Sequence, residues 1–157
     1  MTGDLTAVVK AALVGEMEKL RDQLRDLAAP LDEREFWTKP VDPGNSFGHL
    51  VLHLTGNLNH FVGAQLGGTG YVRDREREFT EVSPPGRDET LARLDEAVTT
   101  FRRVVDGLDG ERLTAPHPTE RFGTVLAALV SVTAHFALHR GQLSYIARLA
   151  QRGDSAS

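Results

Sequence analysis

Two histidines, His135 and His139, stand four residues apart inside the largely apolar run His135-Phe136-Ala137-Leu138-His139-Arg140-Gly141-Gln142. Four residues of α-helix turn through about 400°, so both imidazoles leave one face, one turn apart, within joint reach of a metal ion. His49 and His53 repeat that spacing earlier in the chain. There is no cysteine, so a metal site in this chain has no thiolate ligand. His53 and His60 are separated by about 10.5 Å of helical rise and cannot share one ion. A three-histidine site therefore takes His135, His139 and either His53 or His49. No Asp or Glu lies between Asp42 and Asp74 or between Glu120 and Asp154, so a carboxylate ligand would have to come from another helix, Glu16 or Asp95 being examples.

Three neutral imidazoles leave a divalent ion with its full charge and an open position, as in catalytic zinc sites. Such an ion lowers the pKa of a bound water or thiol by several units. Any thiol must come from outside the chain. The competing reading is that the histidines pack and are satisfied by hydrogen bonds, which suits His60 and His117 best. Gln142, three residues beyond His139, can orient that ring or simply touch the helix. Thr55, Ser131 and Ser144 have no paired base and do not read as nucleophiles.

The elements that must hold these residues are helical throughout. Leu5, Val9, Leu13, Met17, Leu20, Leu24, Leu27 and Leu31 form one stripe of a first helix from about Asp4 to Ala29. Pro30, Pro40, Pro43 and Gly44 then mark a linker that carries Trp37. Asn45 or Ser46 can cap a second helix with Phe47, Leu50, Val51, Leu54, Leu58, Phe61 and Leu66 at helical spacing, stopped by Gly67, Gly68 and Gly70. The longest connection follows, with the mixed-charge run Arg73-Asp74-Arg75-Glu76-Arg77-Glu78-Phe79. It reads as a solvated loop that can also cover a site or bring Arg73, Arg75 or Arg77 to an anionic substrate.

Asp88 is a plausible cap for a third helix ending at Gly107 or Gly110. Thr124 can cap a last helix to about Gln151, with Gly153 just past its end. On that helix Val125, Ala128, Val132, His135, His139, Gln142, Ile146 and Leu149 are expected to face the core. No strand-like alternation competes. The expectation is an all-α fold, a four-helix bundle with a long loop between helices two and three, in a single domain over residues 1–157.

Length and composition agree. The 157 residues can bury a core without a metal or disulfide, and a formal charge of -4 offers no basic surplus for nucleic acid. Asp4, Lys10, Glu16 and Glu18 interrupt the N-terminal region, which fits neither a signal peptide nor a membrane span, so a cytoplasmic protein with no membrane partner is expected.

Asn45-Ser46-Phe47-Gly48-His49-Leu50-Val51-Leu52-His53-Leu54-Thr55-Gly56-Asn57, the Arg73 to Phe79 run and the His135 to Gln142 run together resemble the DinB-like family of metal-binding four-helix bundles. The likeness is closest to the branch with a His-Leu-x-Gly-Asn helix, an Arg-x-Arg-x-x-Glu-Phe loop and a His-x-x-x-His-x-Gly-Gln helix. It implies a divalent metal on His53, His135 and His139, so it selects His53 over His49. It also implies homodimers and, in some members, transfer of a low-molecular-weight thiol such as bacillithiol, mycothiol or glutathione. The expected activity is therefore metal-dependent S-transfer to a small electrophilic substrate. His49 or His60 would serve as base or substrate contact, and Arg73 or Arg75 would hold a carboxylate. Zinc or nickel is the expected ion, with iron or manganese also compatible. A metal-hydroxide hydrolase and a non-enzymatic bundle binding a small molecule or stress ligand are the alternatives.

Overall fold

The computed structural model describes residues 2–155. Seven helices run in chain order: α1 (Thr2–Ala28), α2 (Glu33–Trp37), α3 (Phe47–Leu58), α4 (Arg77–Thr80), α5 (Arg87–Asp106), α6 (Gly110–Thr114) and α7 (Val125–Ser155). A π-helical stretch, Asn59–Ala64, extends α3, and a 3-10 turn, Glu120–Phe122, precedes α7. The long helices α1, α3, α5 and α7 form the bundle: α1 lies against α5 and α7, and α3 closes the ring against the same two. Among the described residues there is no strand beyond one isolated bridge between Pro116 and Thr124, and no helix is long and apolar enough to cross a membrane.

The stripe on α1 buries Leu13, Met17, Leu20, Leu24 and Leu31 as periodicity predicts, but Leu5 is 66% exposed. Lys10 explains the difference. Its ammonium donates to the carbonyls of Asp106 and Leu108 at the end of α5. The turns before Lys10 therefore run past that helix and have less to pack against. The same contact supplies acceptor-rich α5 with a cation at its C-terminus.

In the linker around Trp37 the chain makes an extra turn of helix, α2. Asp32 caps it and Glu35 returns a bond to the Asp32 N–H, a capping box. That box places Phe36, fully buried, against Phe47 at the start of α3, with ring centroids 5.4 Å apart. Ser46 is the cap of α3, its Oγ accepting from the His49 N–H. Every residue of α3 except Leu52 is buried. This explains why α3 carries no Asp, Glu, Lys or Arg: an unpaired charge on a helix buried over most of its circumference would be costly.

Two boundaries differ from the sequence reading. Gly86, not Asp88, precedes α5, and Asp88 sits in its first turn where a carboxylate complements the helix dipole. The last helix, capped by Thr124 Oγ1 accepting from Ala127 N–H, continues through Gly153; one glycine costs a helix only about 1 kcal/mol relative to alanine. The core line of α7 follows the expected one at buried Val125, Ala128 and Val132 and is rotated from it beyond them. Leu129, Phe136, Leu143 and Ala150, seven residues apart, are buried, whereas His135 and His139 are half-buried, Gln142 is exposed and Leu149 is 38% exposed. The histidines thus occupy the flank of the core stripe, where they can face both the bundle and an open cavity.

Gly48 lets α2 meet α3. A Cβ there would lie 2.4 Å from the Trp37 ring and 2.8 Å from the Phe36 ring. Gly48→Ala should destabilise the protein by about 1–3 kcal/mol through overpacking, measurable as a lower urea midpoint at unchanged slope.

Candidate metal centre

α3 and α7 pack side by side and bring His53, His135 and His139 together. Their ligand-capable nitrogens all lie within 4.8 Å of one another. His135 Nε2 is 3.1 Å from His53 Nε2 and 3.0 Å from His139 Nε2. Ligands around a tetrahedral zinc with bonds of 2.0–2.1 Å are about 3.3 Å apart, so small adjustments would admit an ion.

The surroundings decide which nitrogen of each ring faces inward. Glu78 Oε2 lies 2.9 Å from His53 Nδ1 and accepts a hydrogen bond from its N–H, leaving the Nε2 lone pair toward the cluster. Arg73 Nη2 is also 3.3 Å from that Nδ1, but it donates to Glu78 Oε2 at 2.9 Å, while Arg73 Nε donates to Oε1 at 2.7 Å. Gln142 Oε1 accepts from His139 Nδ1 at 2.7 Å, which leaves the His139 Nε2 lone pair inward as well. Two lone pairs therefore converge on His135 Nε2, whose single proton could satisfy only one well, and buried His135 Nδ1 has no hydrogen-bond partner among the described residues. A cation relieves the convergence, and a ligand histidine steered through its second nitrogen by a carboxylate or amide is the usual support of such a centre. The three residues present thus fit a divalent metal.

Electrostatics disfavour the charged forms of His135 and His139. Burial, then the neighbouring charges of His139, His53, Arg73 and Arg121, lower the His135 pKa to about 4. Burial also lowers that of His139. Burial alone would raise the Glu78 pKa, yet the hydrogen bonds from His53 and Arg73 bring it below the ordinary carboxylate value. Glu78 remains an anion facing two donors.

A cavity of about 680 Å³ opens over the cluster. It is lined by His53, His135 and His139 and by Asn57, one turn beyond His53 on α3. Arg73, Arg75, Arg121, Phe61, Phe79 and Phe122 form much of its wall.

A family model described as mycothiol-S-transferase matches residues 12–150. The chain belongs to this family. Its DinB-like character, suggested by the three motifs, is thereby shown. No curated protein matches the chain. Among solved structures, a crystal structure titled as the conserved protein of locus from Enterococcus faecalis aligns with a TM-score of 0.73 at 17% identity, over 88% of this chain and 95% of that one. At that identity the likeness shows the fold alone.

Within this family member the other candidate residues are dispersed. His49 does not reach the cluster: its Nδ1 accepts from the Ser46 hydroxyl at 2.6 Å and its Nε2 donates to the Glu81 carbonyl at 3.0 Å, so both nitrogens tie α3 to the long loop. His60 does not line the cavity; its ring meets the edge of Phe61. His117 is structural, accepting from Thr119 N–H and donating to the Phe61 carbonyl. Arg73 is engaged with Glu78, whereas Arg75 is exposed at the cavity wall. Glu16 pairs with Lys19 and Asp95 with Arg25, away from the histidines.

The residue that the sequence reading missed is Glu78. It lies in the run read as solvated, yet it is 7% exposed and faces His53. α4 carries it onto α3 at Gly56, where a Cβ would stand 2.0 Å from Glu78 Oε1. A Glu-Phe pair ending a charged run, opposite a glycine one turn after a histidine, is the signal that was available.

Glu78→Ala should weaken zinc binding by about tenfold to a hundredfold, and Gly56→Ala should act in the same direction by displacing the carboxylate; competition with a chromogenic chelator measures both. Because the folded pKa values of His135 and His139 lie below the unfolded value of 6.5, the unfolded chain takes up protons first. Stability of chelator-treated protein should therefore be full above pH 6.5 and fall as pH drops toward about 4. The depressed Glu78 pKa adds a further loss below its unfolded value of 4.5. The melting temperature against pH tests this, and His135→Gln should flatten the upper part of the profile.

Proposed function

We propose that this family member is a metal-dependent thiol S-transferase acting on a small electrophilic molecule. The observation that carries the reading is the convergence of three imidazole Nε2 atoms at the floor of a cavity, two of them turned inward by Glu78 and Gln142. His53, His135 and His139 would hold the ion, zinc or nickel being the best match to imidazole, with iron and manganese compatible. A divalent ion held there supplies Lewis acidity that lowers the pKa of a thiol by several units.

The chain's own residues do the rest. Glu78 and Arg73 fix the His53 ring, and Gln142 fixes His139. Phe61, Phe79 and Phe122 exclude water from one side of the cavity, and Asn57 offers a polar contact inside it. With no cysteine in the chain, the sulfur is supplied by a second substrate. The family description supports mycothiol as that thiol. Its sulfur would lose its proton to solvent and form the new bond to an electrophilic carbon in the cavity, while the electron pair of the bond broken at that carbon departs with a leaving group or, in an addition, stays on the acceptor and is protonated from solvent. The homodimer implied by the DinB-like resemblance would have exposed Val130, Leu138 and Tyr145 of α7 available for contact.

Elemental mass spectrometry on protein purified without chelator should give about one metal ion per chain for the wild type and loss in His139→Ala. Metal-loaded wild type should then consume an electrophile only when a thiol is present, and His139→Ala should fall to the background rate. Turnover without thiol would replace the proposal by metal-hydroxide hydrolysis. A metal-replete protein with no turnover beyond background would favour a binding bundle.

A further inference from the structure

We infer that the electrophilic substrate carries a carboxylate, held at the cavity wall by Arg121 and Arg75, next to a short apolar or aromatic body. This assignment of substrate class rests on the S-transferase reading.

The argument begins with which arginines are already used. Arg73 gives its guanidinium to Glu78 in a two-pronged contact. Arg75 and Arg121 line the same cavity but have no carboxylate within ion-pair distance among the described residues. Among the described residues no Asp or Glu lines this cavity. Two uncompensated guanidiniums and the histidines therefore face a space without negative charge, which favours an anionic occupant.

Both guanidiniums are also held in place. Arg121 lies over two rings, 5.3 Å from the Phe61 centroid and 4.8 Å from that of Phe122. Those rings meet edge to face at 5.1 Å. Arg75 lies over Phe79 at 5.7 Å, and Phe79 is itself 4.8 Å from the His53 ring. Stacking over aromatic rings limits the motion of a long side chain while leaving its N–H donors free for a planar oxyanion. The aromatic rings that line the same cavity then suit the apolar body of the same molecule, with its carboxylate at the arginines and its electrophilic carbon turned to the metal centre. Arg121 escapes periodicity analysis because it sits in a three-residue 3-10 turn.

The experiment measures binding without thiol, on zinc-loaded full-length protein, by titration calorimetry with 3-phenylpropanoate and its neutral counterpart 3-phenylpropanamide. Wild type should bind the carboxylate about tenfold more tightly than the amide, as expected for a charge-assisted bond to a guanidinium, and added salt should reduce that ratio. In Arg121→Gln and Arg75→Gln the ratio should fall, approaching one in the double variant, with zinc content unchanged by elemental analysis. Equal affinity of the two probes in wild type overturns the inference. So does a preference that survives in the double variant, since the ion itself would then be taking the carboxylate. Either failure leaves thiol-dependent turnover untouched, and loss of thiol dependence leaves the probe ratio untouched, so the two readings are tested separately.

Discussion

The bond from His53 Nδ1 to the buried carboxylate of Glu78 governs the centre. It sets which nitrogen of His53 faces the other two histidines, and it requires a charge to be brought against an enclosed, uncharged helix. Arg73 makes this tolerable by supplying two donors to the same carboxylate. Gly56 makes it sterically feasible, because any side chain at that position would occupy the space of the Glu78 oxygen. The long loop between α3 and α5 is therefore part of the histidine site, although none of its residues joins the cluster of three. A second anchor, the hydrogen bond from His49 to the Glu81 carbonyl, keeps α4 seated.

Much of this architecture is written in local pattern. The four long helices follow from apolar spacing and caps, and His135 and His139 are legible as a pair because i and i+4 positions share a face whatever the tertiary context. The choice between His53 and His49 is not legible from spacing, since both stand on the same helix one turn apart; resemblance selects His53, and the structure shows that Ser46 and Glu81 engage His49. The rotation of the α7 core line was missed because histidine was counted with the apolar residues, although the leucine, phenylalanine and alanine at 129, 136, 143 and 150 carry a cleaner seven-residue repeat. α2 was missed although Asp32 and Glu35 spell its capping box.

Glu78 and Arg121 show the limit of such reading. Both lie in short irregular segments, where neighbours in sequence do not determine the side a residue faces. A run of alternating charges ordinarily signals solvent, and most of Arg73 to Phe79 does face it. A single buried carboxylate in that run is decided by a contact 25 residues away with His53. Periodicity has no access to such a pairing.

The double tether of the loop, through Glu78 and through Glu81, makes its position and the state of the histidines two ends of one equilibrium. If seating α4 favours the imidazole arrangement that takes a metal, then occupancy by a metal favours the seated loop by the same factor, because free-energy coupling between two sites is reciprocal. Arg75 travels on that loop. Under that condition the cavity wall that carries Arg75 and the histidine floor beneath it are coupled by one free energy, the same in both directions.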